Sequence, residues 1–188
     1  MTSPNAAAGR RFLLIAGVVF AIDATTKAWA HRLPVAGARW GGFALRLQYN
    51  PGAAFGWGHH HGALFGLVTM AFVGYCNVLA WSRVRAQSPA GLVPLALMCG
   101  GAAGNLLDRL TGAGHGPLGG MVADWLHVAG YPFAFNLADL ALRIGAAGLT
   151  LSLWRSSSPA QRRIPAGTAD LDRYDVKPEP FCGSSTSA

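Results

Sequence analysis

The chain has 188 residues, enough for one domain, of which 52% are apolar and only 12% charged, with a net charge of +7. A soluble domain averages about 25% charged residues, so the composition argues against an ordinary water-soluble fold. The basic residues are scattered and carry no nucleic-acid motif, so the positive charge is not read as a DNA or RNA surface.

The first apolar span runs from Phe12 to about Ala30. A cleavable signal peptide is its rival, because Ala28-Trp29-Ala30 resembles a small-residue cleavage site. Asp23 and Lys27 argue against that rival, since charges do not suit the run before such a site. The loop from His31 to His61 follows, rich in Gly and aromatics. Within it Phe43–Tyr49 alternates as a short strand, and Pro51-Gly52 supplies turn chemistry. Further spans are expected at about Gly62–Trp81, Ala90–Leu110 and Phe133–Trp154, each near the ~20 residues that cross a bilayer. The tail from Ser156 is rich in Ser, Pro and charge and reads as disordered.

The expected fold is therefore mainly α and integral to the membrane. Four transmembrane helices carry a small β-structured platform in the first outer loop. Residues 1–11 form the N-terminal segment, 12–155 the membrane domain and 156–188 the tail. Arg10 and Arg11, Arg83 and Arg85, and Arg155, Arg162 and Arg163 all fall on one side of four crossings. The positive-inside rule puts that side, and both termini, in the cytoplasm.

Between Met1 and Ala169 the only carboxylates are Asp23, Asp108, Asp124 and Asp139, and this topology gathers all four toward the outer face. Acids are costly in a membrane segment, at roughly 2.5–3.5 kcal/mol at a helix centre, so each is a functional candidate. Asp23 and Lys27 share a helix face, either as an ion pair that eases insertion or as a polar cluster facing a site. Asn105, Asp108 and Arg109 share a face at the end of span three, with Gly112 as a helix stop. Asp108 opposes the helix dipole there and needs a cation, Lys27 or Arg109. Asp124 lies in the apolar patch Met121–Leu126, as a functional acid or as the cap of a short interfacial helix. Asn136 is placed to cap span four, with Asp139 in the first turn and Arg143 one turn on, as an ion pair or as a site. His59, His60 and His61 invite a metal reading, but three consecutive His rarely converge on one ion, and no metal or other cofactor is expected. Cys76, Cys99 and Cys182 have no metal spacing, and no disulfide framework is expected.

Five ordered stretches resemble the motifs of bacterial lipoprotein signal peptidase, the type II signal peptidase. They are Asp23-Ala-Thr-Thr-Lys27, Asn50-Pro-Gly-Ala-Ala-Phe55, Gly104-Asn-Leu-Leu-Asp-Arg109, Val122-Ala-Asp-Trp125 and Phe135-Asn-Leu-Ala-Asp139. The resemblance covers about Phe12 to Trp154 and implies an aspartic endopeptidase of the inner membrane. Such an enzyme removes signal peptides from prolipoproteins just before a diacylglyceryl-modified Cys. The resemblance maps the catalytic pair onto Asp124 and Asp139, and supporting or substrate-binding roles onto Asp23, Lys27, Asn50, Asn105, Asp108, Arg109 and Asn136. Two stretches flanking Asp124 depart from the family pattern: Leu110–Met121 is long and Gly-rich, and Leu126–Phe133 is short. Arg143 is also unusual so soon after the last motif. The implied partners are lipid-modified prolipoproteins and membrane lipid, with no nucleic acid, and the protein is expected to act as a monomer. The alternative is a small proton-coupled transporter built on intramembrane Asp residues. That reading needs polar groups continuing to the inner side.

Overall fold

The computed structural model describes residues 4–52, 58, 60–86, 90–112 and 117–157. The compact unit Met1–Arg155 contains the helix packing and the sheet. Its helices are α1 (Pro4–Ala30), α2 (Gly62–Arg85), α3 (Leu92–Thr111) and α4 (Leu137–Ser157). Its strands are β1 (Ala38–Trp40), β2 (Phe43–Asn50) and β3 (Val122–Val128). Two helices start away from their expected positions. Helix α1 begins at Pro4, where proline's missing N–H costs nothing in the first turn. Helix α4 begins only at Leu137, because the preceding residues are drawn into strand pairing: Leu126 and Phe135 exchange both backbone hydrogen bonds.

By length and composition α1, α2 and α4 can cross a membrane. Their large apolar side chains stay exposed, among them Leu14, Val18, Leu67, Val78 and Ile144, as a lipid-facing surface requires. The expectation of four such spans is thus met by composition in three. Helix α3 is 20 residues long but carries Asn105, Asp108 and Arg109 among its glycines, which dilute its apolar character. It is also the most enclosed helix, burying Leu95, Ala96, Cys99 and the glycines at 100, 101 and 104.

Small residues let the backbones around α3 approach closely. A Cβ on Gly100 would stand 2.5 Å from the Ala16 carbonyl of α1, and one on Gly101 would stand 2.6 Å from the Ala138 carbonyl of α4. Gly145 of α4 returns the fit, since a Cβ there would lie 2.8 Å from the Pro94 carbonyl. At one end of the bundle Phe12, Cys76, Val84, Leu92 and Leu95 build an apolar core. The sheet and the polar residues occupy the other end.

The sheet is antiparallel in the order β1-β2-β3. Gly41 takes a left-handed conformation (φ 54°) in the turn between β1 and β2. The Phe43–Tyr49 strand is found, extended by Asn50. Two expectations need correction. The platform is not confined to the first outer loop, because its third strand comes from the loop between α3 and α4. Asp124 does not cap a short helix either, since it sits inside β3, opposite Gln48. The stretch around it buries both of its faces, so its sequence lacks the alternation of a half-exposed strand.

Candidate active site

A buried lysine holds the polar end of the bundle together. Lys27 Nζ lies 2.7 Å from Asp23 Oδ2, 2.8 Å from Asp108 Oδ2 and 2.8 Å from Asn105 Oδ1. The three ammonium protons thus meet three acceptors. The i,i+4 ion pair of Asp23 and Lys27 forms, and Lys27 extends it to Asp108 and Asn105. Asp23 uses its other oxygen to accept the Ala138 N–H at 2.9 Å, serving the first turn of α4. Asp108 also accepts the Ala123 N–H at 3.0 Å, which ties α3 to β3. The cation in direct contact with Asp108 is therefore Lys27.

Arg109 does a different job. It donates to the Gly52 carbonyl at 2.6 Å and to the Gly120 carbonyl at 3.3 Å, and its guanidinium lies 5.8 Å from the Phe65 ring centre. It joins the loop after β2 to the loop before β3. Gly62 and Gly66 of α2 accommodate the latter, because a Cβ at either would strike the backbone of Gly119 or Leu118.

The acids implied as the pair face one cavity of about 370 Å³, lined by Asn50, Arg109, Asp124, Phe133, Asp139 and Arg143 among others. Asn136 caps α4 as expected, its Oδ1 accepting the Asp139 N–H at 2.9 Å. Its Nδ2 donates to Asp124 Oδ1 at 2.8 Å and to Asn105 Oδ1 at 3.1 Å. Asn105 Nδ2 donates to Asp139 Oδ1 at 2.9 Å. Asn50 lies diagonally across the β2–β3 ladder from Asp124 and donates to its Oδ2 at 3.3 Å, while its own Oδ1 accepts the Gly52 N–H at 3.0 Å. Burial, reinforced by the neighbouring Asp139 charge, pushes the Asp124 carboxyl up to about 7, against the opposing pull of Asn50, Lys27 and Asn136.

All nine residues implied as catalytic or supporting therefore meet around one cavity and the ion network beneath it. Ala53-Ala54-Phe55 of the second motif, His59 and the tail from residue 158 lie outside the described residues, whereas Ser156 and Ser157, expected in the tail, complete α4. Sequence reasoning missed the α2 wall of the cavity, Phe65, Val68 and Thr69, which carries no unusual polar residue to flag it. It also missed the Gly52 and Gly120 carbonyls, because backbone acceptors leave no mark in a side-chain pattern. The Asp139–Arg143 ion pair is not formed. The Arg143 guanidinium instead stands 5.6 Å from the Phe135 ring centre and 6.0 Å from that of Tyr131.

A family model described as signal peptidase (SPase) II matches residues 15–155. The lipoprotein signal peptidase of Pelotomaculum thermopropionicum is 35% identical over 156 residues, covering 81% of this chain and 96% of that one. That of Moorella thermoacetica is 36% identical over 156 residues, covering 79% and 94%. A bacterial membrane enzyme solved by the in meso method at 2.3 Å resolution shares the fold, with a TM-score of 0.69 at 23% identity, over 81% of this chain and 93% of that one. The match spans the membrane unit and every residue around the cavity, and the chain belongs to the signal peptidase II family.

Proposed function

We propose that this protein is an aspartic endopeptidase of the bacterial inner membrane that removes signal peptides from prolipoproteins, cutting just before the diacylglyceryl-modified cysteine. The observation that carries the reading is the pair Asp124 and Asp139 on one cavity, with Asp124 holding its proton to about 7. Two neighbouring carboxyls share one proton and titrate as a unit. Asp124 is the protonated member and hydrogen-bonds the scissile carbonyl. The Asp139 carboxylate takes a proton from the attacking water. Collapse of the tetrahedral intermediate breaks the C–N bond, and the departing cysteine amine leaves with a proton from the pair. Asn50 is positioned to clamp the extended segment around the scissile bond.

In this reading α3 is the fourth crossing, since its 20 residues reach about 30 Å. Both termini are cytoplasmic, and the sheet end faces outward. A proton relay has less support. Among the described residues the acids gather at the sheet end, while the opposite end is filled by the apolar core.

The test is cleavage of a lipid-modified prolipoprotein by purified protein. Asp124→Asn and Asp139→Asn should each abolish turnover in a folded, inserted protein, because an amide cannot share the proton. Near-normal activity in either variant removes that residue from the pair. If Asp108→Asn abolishes turnover while Asp124→Asn does not, the pair has been assigned wrongly.

A further inference from the structure

Arg143 is a charged cavity residue that neither the proposed chemistry nor the loop contacts use. It follows Asp139 by four residues, so it lies on the same face of α4, about 6 Å further along the helix. It lines the same cavity. The rings of Tyr131 and Phe135 flank its guanidinium, and they meet each other edge to face with centres 6.2 Å apart. Cation–π contact of this kind fixes the plane of the group but uses none of its five N–H donors. Among the described residues no carbonyl or carboxylate accepts from it. Arg109, the other arginine on the cavity, gives two of its donors to loop carbonyls. Arg143 is exposed on a helix apolar enough to cross a membrane, where a charge is costly unless an oxygen-bearing partner meets its donors.

We propose that Arg143 is a substrate-binding residue that receives the ester carbonyls of the diacylglyceryl group on the substrate cysteine. The inference rests on the peptidase reading. Four features choose this acceptor. The Asp139 carboxylate one turn away disfavours a phosphate and favours a neutral oxygen. Helix α4 runs inward from the sheet end, so Arg143 lies on the bilayer side of the reacting carboxylates. There the acyl chains must turn back into lipid, and the glycerol esters hang only a handful of bonds from the scissile bond. The carbonyls of a helical signal peptide are already bonded within their own helix at that depth. Two esters on neighbouring glycerol carbons also present paired acceptors to the planar fork of an arginine.

The test uses two synthetic prolipoprotein peptides of one sequence. One carries a diacyl ester on its cysteine, the other a dialkyl ether of equal chain length that lacks the carbonyls. The wild-type protein should prefer the ester by about tenfold in kcat/KM, mostly through KM, as a charge-assisted hydrogen bond implies. Arg143→Met should lower the ester substrate to the level of the ether. Arg143→Lys, which keeps the charge at this depth, should show an intermediate preference. The proposal fails if wild-type protein does not distinguish the two peptides, or if Arg143→Met keeps the preference. It also fails if Arg143→Met weakens both peptides equally, which is the result for an arginine that only anchors α4 or binds bulk lipid. Should Arg143→Met not fold, an unchanged preference in Arg143→Lys overturns it. If wild-type protein cleaves neither peptide, it is the peptidase reading that has failed.

Discussion

Asn136 makes two separable contributions, and two substitutions pull them apart. Its Oδ1 caps α4, and its Nδ2 donates to Asp124 at 2.8 Å. Serine is as good a cap as asparagine but too short to reach Asp124, while alanine does neither. Asn136→Ala should therefore be less stable than Asn136→Ser by ~1 kcal/mol, the usual worth of a cap. Both variants lose the bond to Asp124. A hydrogen bond to a charged group is worth roughly 1.5–3 kcal/mol, and about half of that separates the anion from the acid. Since 1.36 kcal/mol corresponds to one pH unit, the Asp124 value should rise from about 7 by ~1 unit. The sign is upward because the lost donor favours the anion. The assay is the pH profile of kcat/KM with a lipid-modified substrate across about pH 5–9, whose alkaline limb reports loss of the shared proton. Both variants should move that limb to higher pH by the same amount, although their thermal stabilities differ. A limb that stays in place, or moves to lower pH, would refute the assignment of Asp124 as the proton-holding member.

Stability should also depend on pH through Asp124. Its folded value of about 7 lies above the ordinary ~3.9, so the stabilisation is full below pH ~4 and is lost as pH rises through 7, by on the order of 4 kcal/mol. Thermal unfolding in detergent should follow this curve, and Asp124→Asn should flatten it. Lys27→Met should cost about 3–5 kcal/mol and impair accumulation, because it leaves Asp23 and Asp108 without their cation. Recovery on adding Asp108→Asn would support that cause, whereas normal accumulation of Lys27→Met alone would count against it. Single cysteines at positions 60 and 116 should label from outside, and those at 5, 86 and 170 only from the cytoplasm. The reverse pattern would overturn the orientation, and a mature N-terminus at His31 would overturn the first span.

Local signals in the sequence marked much of this site. The four-residue spacing of Asp23 and Lys27 predicts a shared face, and the structure puts both into one ion network. Asn136 three residues before Asp139 predicts a cap, and the cap bond forms. Gly112 predicts the end of α3 and is its C-cap. What stayed hidden depends on distant partners. β3 was not legible because a strand buried on both faces shows no alternation, and because its register is set by β2, more than 70 residues away in sequence. The pairing of Leu126 with Phe135, which brings Asn136 to Asp124, lies in a segment whose short loop gives no strand signal. Composition also treated α3 as equal to the other helices. It is the helix that trades apolar surface for glycine contacts and polar groups.

The ion network has a further consequence for the acids above it. An asparagine amide can turn either end toward a neighbour, but a cation accepts only the oxygen end. Lys27 therefore fixes Asn105 Oδ1 toward itself, and that choice aims Asn105 Nδ2 at Asp139. Asn105 Oδ1 also accepts from Asn136 Nδ2, which turns the Asn136 oxygen to the cap and leaves its Nδ2 donating to Asp124 as well. One buried charge thus sets the direction of two amides, and each amide presents a donor to one acid. Asp23 and Asp108 both pair with Lys27, so the lysine charge offsets part of theirs beneath the pair. An acid-poor chain can in this way keep four carboxylates close together: two pair with a lysine, and two accept from the amides that lysine orients.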